Sequence, residues 1–75
     1  MTINNIKEKY GKTFTYCVVD EDECYWDDCG DGRWTAVGEF GWFVSDEEVE
    51  ANGIAGVTVH KEDGLVCIHV DGYLG

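Results

Sequence analysis

The sequence predicts a small α+β domain in which about four or five short antiparallel strands form one sheet and two short helices pack on it. Three observations carry this expectation. Residues 13–19, 33–37, 39–44, 57–61 and 65–70 alternate side chains with the two-residue period of a half-buried strand. Thr2 and Ser45 each stand as an N-cap before a short amphipathic stretch. The 75 residues contain no proline and show no repeat or linker, which makes residues 1–75 one domain punctuated by glycine and Asx residues.

Residues 2–11 read as the first helix, with Thr2 as N-cap, Ile3, Ile6 and Tyr10 on one stripe, and Gly11 as the stop. Lys7 and Lys9 lie toward its C-terminal end, where the helix dipole favours cations. So short a helix is marginal alone, so its stripe must pack on something else. In the strand at 13–19, Phe14, Tyr16 and Val18 face one way and Thr15, Cys17 and Val19 the other. Then comes the most unusual stretch of the chain. Residues 20–31, D-E-D-E-C-Y-W-D-D-C-G-D, hold seven carboxylates, two cysteines and two aromatics without one basic residue. Inside it, Cys24, Tyr25 and Trp26 are expected to form a brief edge strand whose flanking charge discourages stray pairing. Gly30 and Gly32 make 29–32 a turn.

In the next strand Trp34 and Ala36 share a face, and in the one after it Phe40, Trp42 and Val44 do; these aromatics are expected to make the bulk of the core. Ser45 opens the clearest local motif. It caps a second helix with Glu48 as capping-box partner, Val44 and Val49 as hydrophobic staple, and Asp46 and Glu47 in the anion-favouring first turn. Asn52-Gly53 ends that helix. The last two strands form a hairpin. With Asp63-Gly64 as its two-residue turn, Val59 faces Ile68 and Val57 faces Val70, while His60 stands across from Cys67 and Thr58 from His69.

Composition narrows the function. Five Lys plus Arg stand against sixteen Asp plus Glu, a net charge of −11, beyond the magnitude of roughly 2 to 8 that solubility asks of a small domain. That sign argues against direct binding to nucleic acid or to an anionic membrane and favours a basic protein partner or cations. Ten aromatic residues and patterned Val and Ile separate the chain from a disordered acidic tail. No apolar run is long enough to cross a bilayer, and residues 1–5 lack the basic and apolar parts of a signal peptide, so a cytoplasmic setting is expected. There Cys17, Cys24, Cys29 and Cys67 are expected as free thiols or ligands. A chain this short buries only about 60 to 65 % of its unfolded surface. Disulfides, a metal, a partner or a homodimer are its routes to added stability.

The acidic run admits three chemistries. Calcium fails on register: an EF-hand loop begun at Asp27 puts Gly38 where the bidentate Glu belongs, and one begun at Asp20 puts Cys24 and Tyr25 at positions five and six. A tetrahedral zinc set can be drawn from Cys24, Cys29, Cys67 and His69, although the Cys24 to Cys29 spacing exceeds the usual knuckle. Against it, cysteines in strands serve equally well as small buried fillers. A disulfide between Cys24 and Cys29 is the oxidised alternative. No cofactor is expected and no enzyme: there is no C-x-x-C, no phosphate-cradling loop and no nucleophile with base and orienting group.

What remains is the acidic surface itself. Asp20, Glu21, Asp22, Glu23, Asp27, Asp28 and Asp31, with Asp46, Glu47 and Glu50 on the second helix, can imitate a row of phosphates, and Tyr25 and Trp26 supply aromatic anchors inside it. The expected function is to bind and inhibit a basic protein of the kind that binds nucleic acid. In size and acidity over the whole chain it resembles the small nucleic-acid-mimic inhibitors of phage and mobile elements, anti-CRISPR and anti-restriction proteins among them. That resemblance implies a host nucleic-acid-binding enzyme or complex as partner and, for a phage-encoded chain, the host cytoplasm. The alternatives are a structural domain stapled by zinc or a disulfide, and an acidic accessory subunit of a larger assembly.

Overall fold

The computed structural model describes residues 1–39 and 41–74. Local signals fix the two helices. Helix α1 (Ile3–Tyr10) starts where the Thr2 hydroxyl accepts the Asn5 N–H, and stops at Gly11, whose φ of 86° is open to glycine at no steric cost. Helix α2 (Asp46–Ala51) starts at Ser45, whose hydroxyl accepts the Glu48 N–H, with both staple residues, Val44 and Val49, buried. The strands are β1 (Thr15–Val19), β2 (Tyr25–Asp28), β3 (Arg33–Ala36), β4 (Phe43–Ser45), β5 (Ile54–His60) and β6 (Leu65–Val70).

The α+β class and the two helices agree with the sequence reading, but the sheet is mixed and has six strands, in the order β4-β3-β2-β1-β6-β5. β1 and β6 run parallel, with Cys17 beside Cys67 and Val18 beside Ile68, and every other pair is antiparallel. The all-antiparallel expectation is therefore corrected. β1 closes the meander β1 to β4 on one side and the β5–β6 hairpin on the other. Its central position is why Tyr16, Cys17 and Val18 are buried in succession, without the alternation of a half-exposed strand. β2 also lies inside the sheet, so the edge strand expected around Cys24 to Trp26 is not an edge. The edges are three-residue β4 and β5, and shortness is one way to blunt an edge.

Both helices contribute to one face. Ile3, Ile6 and Val49 pack with Tyr16, Val18, Trp26, Trp34, Val44, Val66, Ile68, Val70 and Leu74. The core tryptophans are thus Trp26 and Trp34; Trp42 and Phe43 are about half exposed, and Phe40 lies outside the described residues. Trp42 precedes β4 in its loop, and its carbonyl accepts the Ala36 N–H of β3. The hairpin turn has four residues, 61–64, which pairs Val59 with Val66, Val57 with Ile68, Thr58 with Cys67 and His60 with Leu65. This is two residues from the expected register. An even shift keeps every side chain on its face, so the division into a valine face and a Thr, Cys and His face stands while the individual partners change. The opposite face of the sheet carries Phe43, Thr35, Asp27 and Tyr25 across β4 to β2. No helix among the described residues is long and apolar enough to cross a membrane.

Candidate functional site at the acidic end of the sheet

The sheet has two unlike ends. β1, β3 and β6 finish at the end where β2, β4 and β5 begin, so the turn at 20–24, the loop at 37–42 and the tail from 71 meet there. That end carries Glu21, Asp22, Glu23, Glu39 and Asp71. The five basic residues lie elsewhere: Lys12 before β1, Arg33 at the start of β3, Lys61 in the β5–β6 turn, and Lys7 and Lys9 in the last turn of α1.

The acidic run divides into parts with different work. Asp20, only 6 % exposed, is a structural residue and not a surface charge. Its Oδ1 accepts the backbone N–H of Asp22 and of Cys24, each at 3.0 Å, and its Oδ2 accepts Trp26 Nε1–H and the Leu74 N–H at 3.4 Å. Four donors aimed at one carboxylate are what makes its burial tolerable. Trp26, at 2 % exposure, belongs to the core and not to the exposed surface expected of an aromatic anchor. Glu23 takes a φ of 62°, the only non-glycine residue among those described with positive φ, and its N–H closes the turn on the Asp20 carbonyl.

At the other end of β2 the carboxylates meet cations. Asp28 pairs with Lys7 at 2.6 Å, and the Lys7 ammonium also lies 5.6 Å from the Tyr16 ring centroid and 5.3 Å from that of Trp34. Asp31 takes Arg33 Nη2–H at 2.8 Å and Nε–H at 3.1 Å, which holds its carboxyl below the usual range and the guanidinium above its own. That pair is exposed and contributes little to stability. On α2, Asp46 accepts Trp34 Nε1–H at 2.6 Å and Glu50 accepts the Ile3 N–H at 3.2 Å, capping the start of α1. Asp46 and Glu50 therefore hold the helices to the core and to each other. Of the residues expected to face a partner, Glu21, Asp22, Glu23, Tyr25, Asp27, Asp31 and Glu47 are exposed.

A cleft of about 420 Å³ opens at the acidic end. Asp22, Glu23 and Glu39 rim it, Tyr25, Val37 and Trp42 wall it, and Trp26 and Cys24 lie at its lining. Its walls are among the most exposed large apolar side chains of the chain. Sequence reasoning missed Val37 and Trp42, since alternation assigned both to strands; the loop glycines Gly38 and Gly41, with φ of 87° and 82°, were the signal that the chain turns there. The Cys24 thiol is pushed up by desolvation and by the carboxylates of Asp20, Asp22 and Glu39.

The zinc and disulfide candidates are not brought together. Cys24 and Cys29 flank β2, and five residue steps of strand separate their Cα atoms by about 17 Å, far beyond the roughly 4.4 to 6.8 Å that a disulfide spans. All four cysteines are free. Cys67 instead adjoins Cys17, their sulfurs 3.1 Å apart, and His69 Nε2 lies 3.0 Å from the Thr58 hydroxyl. No group of three or more His, Cys, Asp or Glu side chains among the described residues is arranged to hold a metal ion.

Burial, the hydrogen bond between the Cys17 and Cys67 thiols and the nearby Asp27 carboxylate push the Cys17 thiol up to about 12 from an ordinary 9.0. The folded chain thus keeps a proton that the unfolded chain releases, so stability is intact below about pH 9 and declines as pH climbs toward 12. Tyr16, also pushed up by burial, adds a decline of the same sign. Urea midpoints measured between pH 8 and 11 are expected to fall, and to fall less in Cys17→Ala; an equal slope in the two proteins counts against this assignment. No protein-family model, curated protein or solved structure matches the chain, which leaves the site as the ground for a functional reading.

Proposed function

We propose that this protein binds a basic protein, of the kind that otherwise holds nucleic acid, and inhibits it by presenting the carboxylates of one sheet end where the target expects phosphates. One observation supports this above the others: the end that carries Glu21, Asp22, Glu23, Glu39 and Asp71 contains none of the five cations. Dispersed charge would serve solubility. Segregated charge creates a directed field, which steers a cationic partner and raises its association rate by about 10- to 1,000-fold at low salt. The same field repels nucleic acid and anionic lipid. A cytoplasmic setting, the host's where the chain is phage-encoded, is part of this reading.

An accessory-subunit role is the second reading, favoured by Tyr25 and Phe43, about half exposed on the sheet face away from the helices. Salt separates the two. The test is capture of basic partners from the native host, followed by affinity measurement against ionic strength for the protein and for a variant carrying Glu21→Gln, Asp22→Asn, Glu23→Gln and Glu39→Gln. Asp20 is left intact because its loss would unfold the turn. Expected is an affinity that drops steeply with salt and at least about tenfold in the variant, chiefly through slower association. An affinity indifferent to salt and to these four changes sinks the mimic reading, and co-purification that survives high salt favours the subunit.

A further inference from the structure

We infer that the cleft between Tyr25, Val37 and Trp42 receives an arginine side chain of the basic partner. This rests on the reading above and gives it a point of contact. The cleft combines two properties that select one chemistry. Its walls are aromatic and apolar, with Tyr25 55 %, Val37 57 % and Trp42 49 % exposed, and its rim is Asp22, Glu23 and Glu39. An anion is repelled by that rim, and an uncharged apolar group makes no use of it. A cation satisfies both, through the faces of the rings and the oxygens of the rim.

Between the two cationic side chains, the choice follows from hydration and shape. Guanidinium is planar and weakly hydrated, so it stacks on a ring while its edge donates to carboxylates; ammonium is a compact, strongly hydrated charge that loses more on leaving water. The chain already contains this arrangement internally. Arg33 lies 4.8 Å over the Phe43 ring while donating through Nε and Nη2 to Asp31. At the cleft the ring and the carboxylates are present and the guanidinium is not: none of the chain's own cations lines it. At its lining, desolvation and then the carboxylates of Asp20, Asp22 and Glu39 push the Cys24 thiol up.

Capped hexa-arginine and hexalysine peptides of equal charge test the inference, titrated at low salt against the full chain. Two readouts are followed, the indole N–H signals in NMR and the iodoacetamide alkylation rate of Cys24 against that of Cys29. Hexa-arginine is expected to bind about fivefold more tightly than hexalysine, the margin of one added cation–π contact. It should shift the Trp42 indole signal, leave that of Trp34, buried away from the cleft, in place, and slow alkylation at Cys24 but not at Cys29. Trp42→Ala should remove the preference for arginine while both peptides still bind. Val37→Lys, at an exposed position, should fill the cleft with a cation and remove the Trp42 shift without loss of fold. Equal binding of the two peptides with the Trp42 signal unmoved overturns the arginine site and leaves the electrostatic reading standing. Failure of both peptides to bind at low salt overturns the site and that reading together.

Discussion

Asp20→Ala is expected to destabilise the protein by about 3 kcal/mol, because it removes a buried acceptor from four donors at once. The Asp22 and Cys24 amides are partly exposed and recover water, which limits their share. The Trp26 indole N–H and the Leu74 amide are buried and recover none, at a cost of about 1 to 3 kcal/mol for each. For a 75-residue chain, total stability is about 4 to 11 kcal/mol, so the loss takes a large fraction of it. A fall in melting temperature of roughly 12 to 24 °C follows, at about 4 to 8 °C per kcal/mol for a domain of this size. Asp20→Asn keeps the shape but turns an NH₂ toward one pair of donors, and its expected cost lies between alanine and wild type. Asp22→Asn, two residues away and exposed, relieves repulsion among like charges and is expected to be neutral or slightly stabilising. Thermal melts of the three variants check this. An Asp20→Ala melt close to that of Asp22→Asn would return Asp20 to the surface role that the acidic run suggests.

The contrast between Asp20 and Asp22 shows what was legible in the sequence. Caps and staples are local events, so Thr2, Gly11, Ser45, Val44 and Val49 were readable from spacing alone, and the helices follow them closely. Strand identity was also local. Strand partnership was not, because the parallel pairing of β1 with β6 joins residues such as Cys17 and Cys67 across most of the chain, and no nearby residue signals it. That single pairing puts β1 in the centre, joins the meander to the hairpin and brings the two thiols together. It also sets the tail beside the first turn, where the Glu21 N–H donates to the Gly72 carbonyl and Leu74 enters the core. Asp20 was hidden for a related reason. Among seven carboxylates its type says nothing about burial; only the convergence of the turn at 20–24, the Trp26 ring and the tail distinguishes it. The acidic end itself was half visible: the charges were in plain view, but their separation from every cation depends on which strand ends lie together.

Trp34 is where the second large effect is expected. It has no exposed surface and joins the sheet to both helices, through the core, the Lys7 ammonium over its ring and the 2.6 Å bond from Nε1–H to Asp46. Trp34→Ala removes the largest fully buried side chain and is expected to cost about 4 kcal/mol. Trp34→Phe keeps much of the volume and deletes the donor. Asp46→Ala deletes the acceptor and leaves a buried indole N–H without a partner, and it also takes a carboxylate from the first turn of α2, where the helix dipole favours one. If the bond is the link between these residues, a double-mutant cycle of Trp34→Phe with Asp46→Ala should give a coupling of about 1.5 kcal/mol, the scale of a hydrogen bond to a charged group. A coupling near zero would mean that packing and helix charge account for both single effects. The cycle also decides the place of Asp46 in function. As a residue held by the core, it should change stability when replaced and leave affinity for a basic partner unchanged at temperatures where the variant is folded. Asp22 and Glu39 should do the reverse. A loss of affinity in Asp46→Asn with the melting temperature preserved would put α2 back into the binding surface and shift the interface from the end of the sheet toward the helices.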